Sequence, residues 1–245
     1  MLTQSTGGTE LSRPKKKPNY NPDQVMQDFM AAVTDAFGSY DDREDTTFPG
    51  LNAVAAEFGI TALKARKLLI TADVYSTALS RQVAELHDGG VEISQIMKTT
   101  GLSRASVHSY LSYSKIPYKL DELSANAERI RLYRERKKKC EEFRAKLSIL
   151  TESEQEVALW SILIYLQGCV FLTAKGLKFT YKIKGGEMFV NRKSKSITQA
   201  TVFMAFWNAM ELGGAVAGPK KLGTFGASYL YPIFVRLGVI RMDVG

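Results

Sequence analysis

One local pattern occurs twice, 42 residues apart, and it limits the fold more than any other feature of the chain. Residues 51–70 read LNAVAAEFGITALKARKLLI and residues 93–112 read ISQIMKTTGLSRASVHSYLS, with Gly59 and Gly101 at the same place in each. In both, a short amphipathic stretch runs into glycine, an apolar residue, a hydroxyl residue and a second amphipathic stretch. Glycine supplies the positive φ that a sharp turn between helices requires. Ile60 or Leu102 then plugs the angle between the helices, and Thr61 or Ser103 carries the oxygen that caps the second one. Val54, Phe58 and Leu68 in one copy, and Ile96, Val107 and Tyr110 in the other, supply core positions at helical spacing. Apolar periods at 25–37 and 79–86 offer each copy a third helix. Two consecutive three-helix units are expected, over residues 21–75 and 76–125.

The flanking segments differ in kind. Residues 1–20 are Thr, Ser, Gly, Pro and Lys with almost no apolar content, which predicts a disordered tail. Asn21–Pro22 then reads as a cap and first-turn proline. Residues 126–150 form a basic connecting helix whose stripe of Ile130, Tyr133, Cys140, Phe143, Leu147 and Leu150 is interrupted at Lys137. Residues 151–245 predict a small α+β domain. In it, residues 178–184 and 187–192 alternate polar and apolar residues on either side of Gly185–Gly186, the pattern of a β-hairpin. The expected class is therefore mainly α, with a small C-terminal α+β part.

The duplicated pattern resembles the helix-turn-helix superfamily. The copy containing Gly101-Leu-Ser-Arg-Ala-Ser-Val107 is similar to the motif of sigma-factor region 4 and of resolvase-type DNA-binding domains. The whole chain also resembles regulators carried on mobile elements of Gram-positive gut bacteria. The resemblance implies double-stranded DNA as partner, with the second helix of each unit in the major groove and its N-terminal residues facing base edges. Those residues are Thr61, Lys64, Arg66 and Lys67 in the first unit, and Ser103, Arg104, Ser106, His108 and Ser109 in the second. Arg104, early in its helix, is the first choice for a base reader, while Lys64 and Lys67 suit phosphates.

Charge points the same way. The net charge is +8, distributed as −3 over residues 1–50, +6 over 51–139 and +5 over 140–245. The surplus thus lies on the repeated units and on the C-terminal half of the chain. On the hairpin, Lys178, Lys182 and Lys184 share one face, and Arg192, Lys193 and Lys195 come directly after it. Such a basic hairpin can track phosphates as a wing, or it can be a solvated face whose lysines discourage edge pairing.

Enzyme chemistry has little to build on. The two histidines, His87 and His108, have no nucleophile motif beside them, and the acids after residue 140 mostly start helices. No cofactor or metal motif is present, and Cys140 and Cys169 do not make a disulfide framework. No run of about 18 uncharged apolar residues and no N-terminal apolar signal core occur, so a cytoplasmic protein without a membrane partner is expected. The expected role is transcriptional regulation. An accessory DNA binder for replication, excision or recombination of a mobile element stays open, as does a protein-interaction or inhibitor module on the same scaffold. Self-association or a protein partner is assigned to the C-terminal domain.

Overall fold

The computed structural model describes residues 20–38, 49–114 and 123–241. The expected tail, apart from Tyr20, residues 39–48 of the expected first unit and residues 115–122 of the expected second lie outside them. The described residues are mainly helical, with two small antiparallel sheets.

Helix α1 (Pro22–Gly38) begins where Asn21 Oδ1 accepts from the backbone N–H groups of Asp23 and Gln24, at 3.0 and 3.3 Å. It buries Val25, Met26, Phe29, Val33 and Phe37 against α2 (Pro49–Phe58) and α3 (Ala62–Thr71). Gly59, at φ 60°, turns the chain between α2 and α3, and the Ile60 N–H closes the turn on Ala55 O at 2.9 Å. Thr61 caps α3 by accepting from the Lys64 N–H at 3.1 Å. The second unit repeats this with α4 (Ala78–Asp88), α5 (Ile93–Thr100) and α6 (Arg104–Ser109). Gly101 turns at φ 70°, and Ser103 accepts from the Ser106 N–H at 3.2 Å. Helix α6 is only six residues long and ends at Ser109, short of residue 112.

The connecting helix is α7 (Leu123–Leu147), so both of its ends fall three residues earlier than the predicted 126–150. It does more than connect. Ile130 and Tyr133 complete the core of α1–α3, with Phe58 packed between Phe29 and Tyr133 at ring-centroid distances of 5.6 and 4.9 Å. Two turns later, Cys140 and Phe143 enter the C-terminal core. The first unit is therefore a four-helix packing rather than a three-helix one. The break in the stripe at Lys137 also has a cause, since its ammonium bonds both carboxylate oxygens of Asp35 on α1 at 2.7 Å.

The C-terminal part packs α8 (Glu152–Tyr165), α9 (Gln199–Glu211) and α10 (Ala227–Leu237) around five short strands. Strands β1 (Phe171–Leu172) and β2 (Lys178–Phe179) pair with each other. Strand β3 (Tyr181–Lys184) pairs with β4 (Glu187–Val190), which pairs with β5 (Ile197–Thr198). The predicted hairpin is present, turned by Gly185 and Gly186 at positive φ. Its first strand is divided at Thr180, whose N–H donates to the Asn191 side-chain oxygen at 3.0 Å instead of to a strand neighbour. The alternation holds across the break, with Phe179 and Tyr181 buried and Lys178, Lys182 and Lys184 exposed. Gly226, in front of α10, is at φ 78° and packs so closely on Ile197 that a Cβ would overlap that side chain. Thr198 caps α9 by accepting from the Thr201 N–H at 3.2 Å.

Candidate functional site

The two capped second helices, α3 and α6, pack on each other. Arg66 on α3 is 9% exposed, donates from Nη1 to Ser109 Oγ at 3.0 Å and lies 4.2 Å over the Tyr110 ring. One residue on, Lys67 Nζ donates to His108 O at 3.1 Å and sits 4.8 Å from the Tyr113 ring centroid. At the end of α3, Thr71 Oγ1 accepts from the Tyr113 N–H at 3.0 Å. These contacts correct the expectation for Arg66 and Ser109. Instead of facing an outer surface, both are buried and bonded to each other, because an arginine stem and fork fill a gap between helices well. Lys67 is also drawn partly inward, and burial lowers its ammonium below the usual lysine range.

On α3 the exposed positions lie at its N-terminal end, whereas on α6 they run from its cap to its last turn. Thr61 on one side, and Ser103, Arg104, Ala105 and His108 on the other, face solvent, with Lys64 and Ser106 half-buried. The hydroxyls of Thr61 and Ser103 are committed to capping. Arg104 is the exposed guanidinium at the first position of α6. His108, one turn further on, is lowered by burial first and then by the charges of Arg104, Lys67 and His87.

The basic run of α7 adds little to this surface. Arg131 is paired with Glu128 and Glu135, Arg134 with Asp28, Lys137 with Asp35, and Lys139 with Glu142. Arg136 and, from α10, Arg236 both hold Glu57 of α2, whose side chain is only 5% exposed. This junction has no signature in the chain, because Glu57 and Arg236 are 179 positions apart. The charge surplus is consequently expressed elsewhere.

The C-terminal cations divide into separate groups. Lys182 and Lys184 stand on β3 opposite Phe189 and Glu187, so that outer face is mixed rather than uniformly basic. Arg192, Lys193 and Lys195 are exposed in the β4–β5 loop, where Lys193 Nζ lies 4.2 Å and Lys195 Nζ 5.6 Å from the exposed Phe225 ring. Lys178 stands on β2, in the other sheet. It lines an open cleft of about 810 Å³ together with Lys64, Lys67, His108 and, from α7, Arg129. Among the described residues, no acid lines that cleft. Arg129 and Tyr113, which also lines it, are site residues that periodicity and motif do not single out, since their meeting with Lys178 depends wholly on tertiary packing.

Among the described residues, no group of three or more His, Cys, Asp or Glu is placed to hold a metal ion. No described helix is long and apolar enough to cross a membrane. No protein-family model, curated protein or solved structure matches the chain.

Proposed function

We propose that this protein binds double-stranded DNA and regulates transcription, with α6 as the helix that reads bases. The observation supporting this reading is the packing of α3 on the last turn of α6, which brings Lys64, Lys67 and His108 to one cleft with no acid among its described lining residues. Successive major grooves on one duplex face are about 34 Å apart, and each is about 12 Å wide. Two helices held in contact do not span that repeat, so the units act as one rigid reader rather than as two tethered ones. Helix α6 offers Arg104 at its first position for a base edge. Lys64 and Lys67 on α3 then meet flanking phosphates and fix the register.

The test is selection of bound fragments from a random duplex pool, followed by the same selection with Arg104→Ala. A cognate site is expected to emerge, and the variant is expected to lose about 1–3 kcal/mol of discrimination against one base pair. No enrichment with the wild-type chain overturns DNA reading. Equal loss on cognate and random duplex makes Arg104 a phosphate contact.

A second reading, a protein-interaction module, is favoured by one feature of the C-terminal part. Val157 is 67% exposed and Ile164, seven positions along α8, is 43% exposed, with Met204 of α9 at 57%. Apolar groups at that exposure suit a partner or a second copy. Chain mass measured across a dilution series separates self-association from a different partner.

A further inference from the structure

The chain has two tryptophans, and both lie half-buried on one face of the C-terminal part. Trp160 of α8 meets Phe203 of α9 edge-on at 6.1 Å between ring centroids, and Trp207 Nε1 donates to Glu156 Oε1 at 2.8 Å. These two contacts, 160 with 203 and 156 with 207, set the helices antiparallel. Beside the seam, Val157 and Ile164 of α8, two turns apart, and Met204 of α9 are exposed. Trp, Phe and Met are enriched where proteins meet, and Trp foremost where one side chain carries much of the binding. Lysine is depleted there, and α8 and α9 contain no Lys or Arg.

Charge along the face is ordered. The acids of the two helices are Glu152, Glu154 and Glu156 at the start of α8 and Glu211 at the end of α9, and the antiparallel setting brings them to one end. At the other end α9 begins, entered from the β4–β5 loop with exposed Arg192, Lys193 and Lys195 and no acid. Between the two ends, residues 157–165 and 199–210 carry no charge. A face with an acidic end, an apolar middle and a basic end is complementary to itself when turned end for end. A two-fold axis through the middle makes that turn, setting each acidic end toward the basic loop of the other copy and the apolar middles together. A partner of a single sign of charge meets repulsion at one end.

We propose that the α8–α9 face joins two copies of this chain about a two-fold axis, with Val157, Trp160, Ile164, Phe203, Met204 and Trp207 at the contact. This names the occupant of the exposed face in the protein-interaction reading and rests on that reading. It also suits the DNA reading, since a pair carries two copies of α6, and two-fold dimers bind duplexes at half-sites related by the same symmetry.

The experiment follows the sedimentation mass and the tryptophan emission of the full chain, without duplex, across a dilution series. Because both tryptophans lie on the face, pairing is expected to double the mass and move the emission to shorter wavelength at one shared midpoint. Met204→Glu, at a position 57% exposed, is expected to weaken pairing about tenfold, equivalent to about 1.4 kcal/mol, with the circular dichroism of the single chain unchanged. Glu211→Lys sets a cation toward the basic loop of the other copy and is expected to weaken pairing about threefold, although a cation suits the end of a helix. Leu177→Glu, at an exposed apolar position in the β1–β2 turn, is expected to leave pairing unchanged. A doubled mass without the emission shift, equal weakening by Leu177→Glu, or unchanged pairing in Met204→Glu or in Glu211→Lys each overturns the proposal. A single-chain mass at every concentration overturns it too, but leaves the face to a different protein, so the wider interaction reading does not fall with it. Because no duplex is present, the DNA reading stays with the selection experiment.

Discussion

The two glycine-turn units share their local construction and differ in what stands behind it. Each has a glycine at φ 60–70°, a hydroxyl cap and an apolar plug. Among the described residues, the first unit's core contains sixteen buried apolar side chains, two of them from α7, whereas the second's contains Val83, Ile96, Val107 and Tyr110. A packing of about 40 residues seldom buries enough apolar surface to stand alone. The second unit compensates by resting α6 on α3 through Arg66 and Lys67. Identical turn chemistry therefore specifies how two helices meet, while long-range partners determine how firmly they are held. In the proposed function, the first unit is the foundation and the second is the exposed reader mounted on it.

The largest expected effect tests the foundation. Phe58→Ala removes a ring packed between Phe29 and Tyr133 and is expected to cost about 3–5 kcal/mol across the whole α1–α3 and α7 core. Ile96→Ala, at an equally buried position, is expected to destabilise α4–α6 while the first unit keeps its amide protection. Thermal melts combined with hydrogen exchange report both. One shared cooperative loss in the two variants breaks the distinction between foundation and mounted unit.

Next in size is the joint between the units. Arg66→Ala removes a buried charge-assisted hydrogen bond and the stacking on Tyr110, for an expected loss of about 1.5–3 kcal/mol. The amides of α4–α6 are expected to exchange faster, with α1 and α2 unchanged. Uniform acceleration places Arg66 in the global core instead. A smaller pair of changes holds the chemistry constant. Gly59→Ala and Gly101→Ala meet no crowding at the new Cβ, so each is charged only for its left-handed backbone, about 1–2 kcal/mol. Gly59→Ala is expected to lower the global melt and Gly101→Ala to loosen α5–α6 alone. Interchangeable behaviour removes the proposed hierarchy.

Local chemistry is readable from the chain, and tertiary partnership is not. Asn21, Thr61 and Ser103 each cap the helix that their position predicts, because a cap is decided within three residues. The hairpin turn and its alternation are readable for the same reason. Arg66 defies its sequence reading because arginine is usually exposed, and only a residue 43 positions away makes its burial favourable. The stripe of α7 looks imperfect because it serves two cores in succession and turns Lys137 toward Asp35 between them. The cleft has no local signature, since Arg129 and Lys178 meet only once α7 and β2 are packed.

The smallest effect concerns how α7 is fastened to the foundation. Asp35 of α1 accepts from Tyr133 Oη at 2.7 Å and from Lys137 Nζ, while the second unit's capping box between Thr77 and Ser80 involves no titrating group. Burial pushes the Asp35 carboxyl upward, but the hydrogen bonds from Lys137 and Tyr133 and the Lys137 charge prevail and hold it below its ordinary value of 3.8. A lowered folded-state value favours the ionised form in the native protein. Its contribution is therefore fully present above the unfolded value and is lost as pH falls through the folded one. The side chain is 46% exposed, so solvent screening keeps the effect modest. Asp35→Asn is expected to melt slightly below wild type near neutral pH, with the gap closing as the solution approaches about pH 2. A gap that stays constant across the titration assigns Asp35 a role in shape rather than charge. A gap that closes shows that ion pairing strengthens α7's hold on the first unit, a support the hydroxyl-capped second unit does not share.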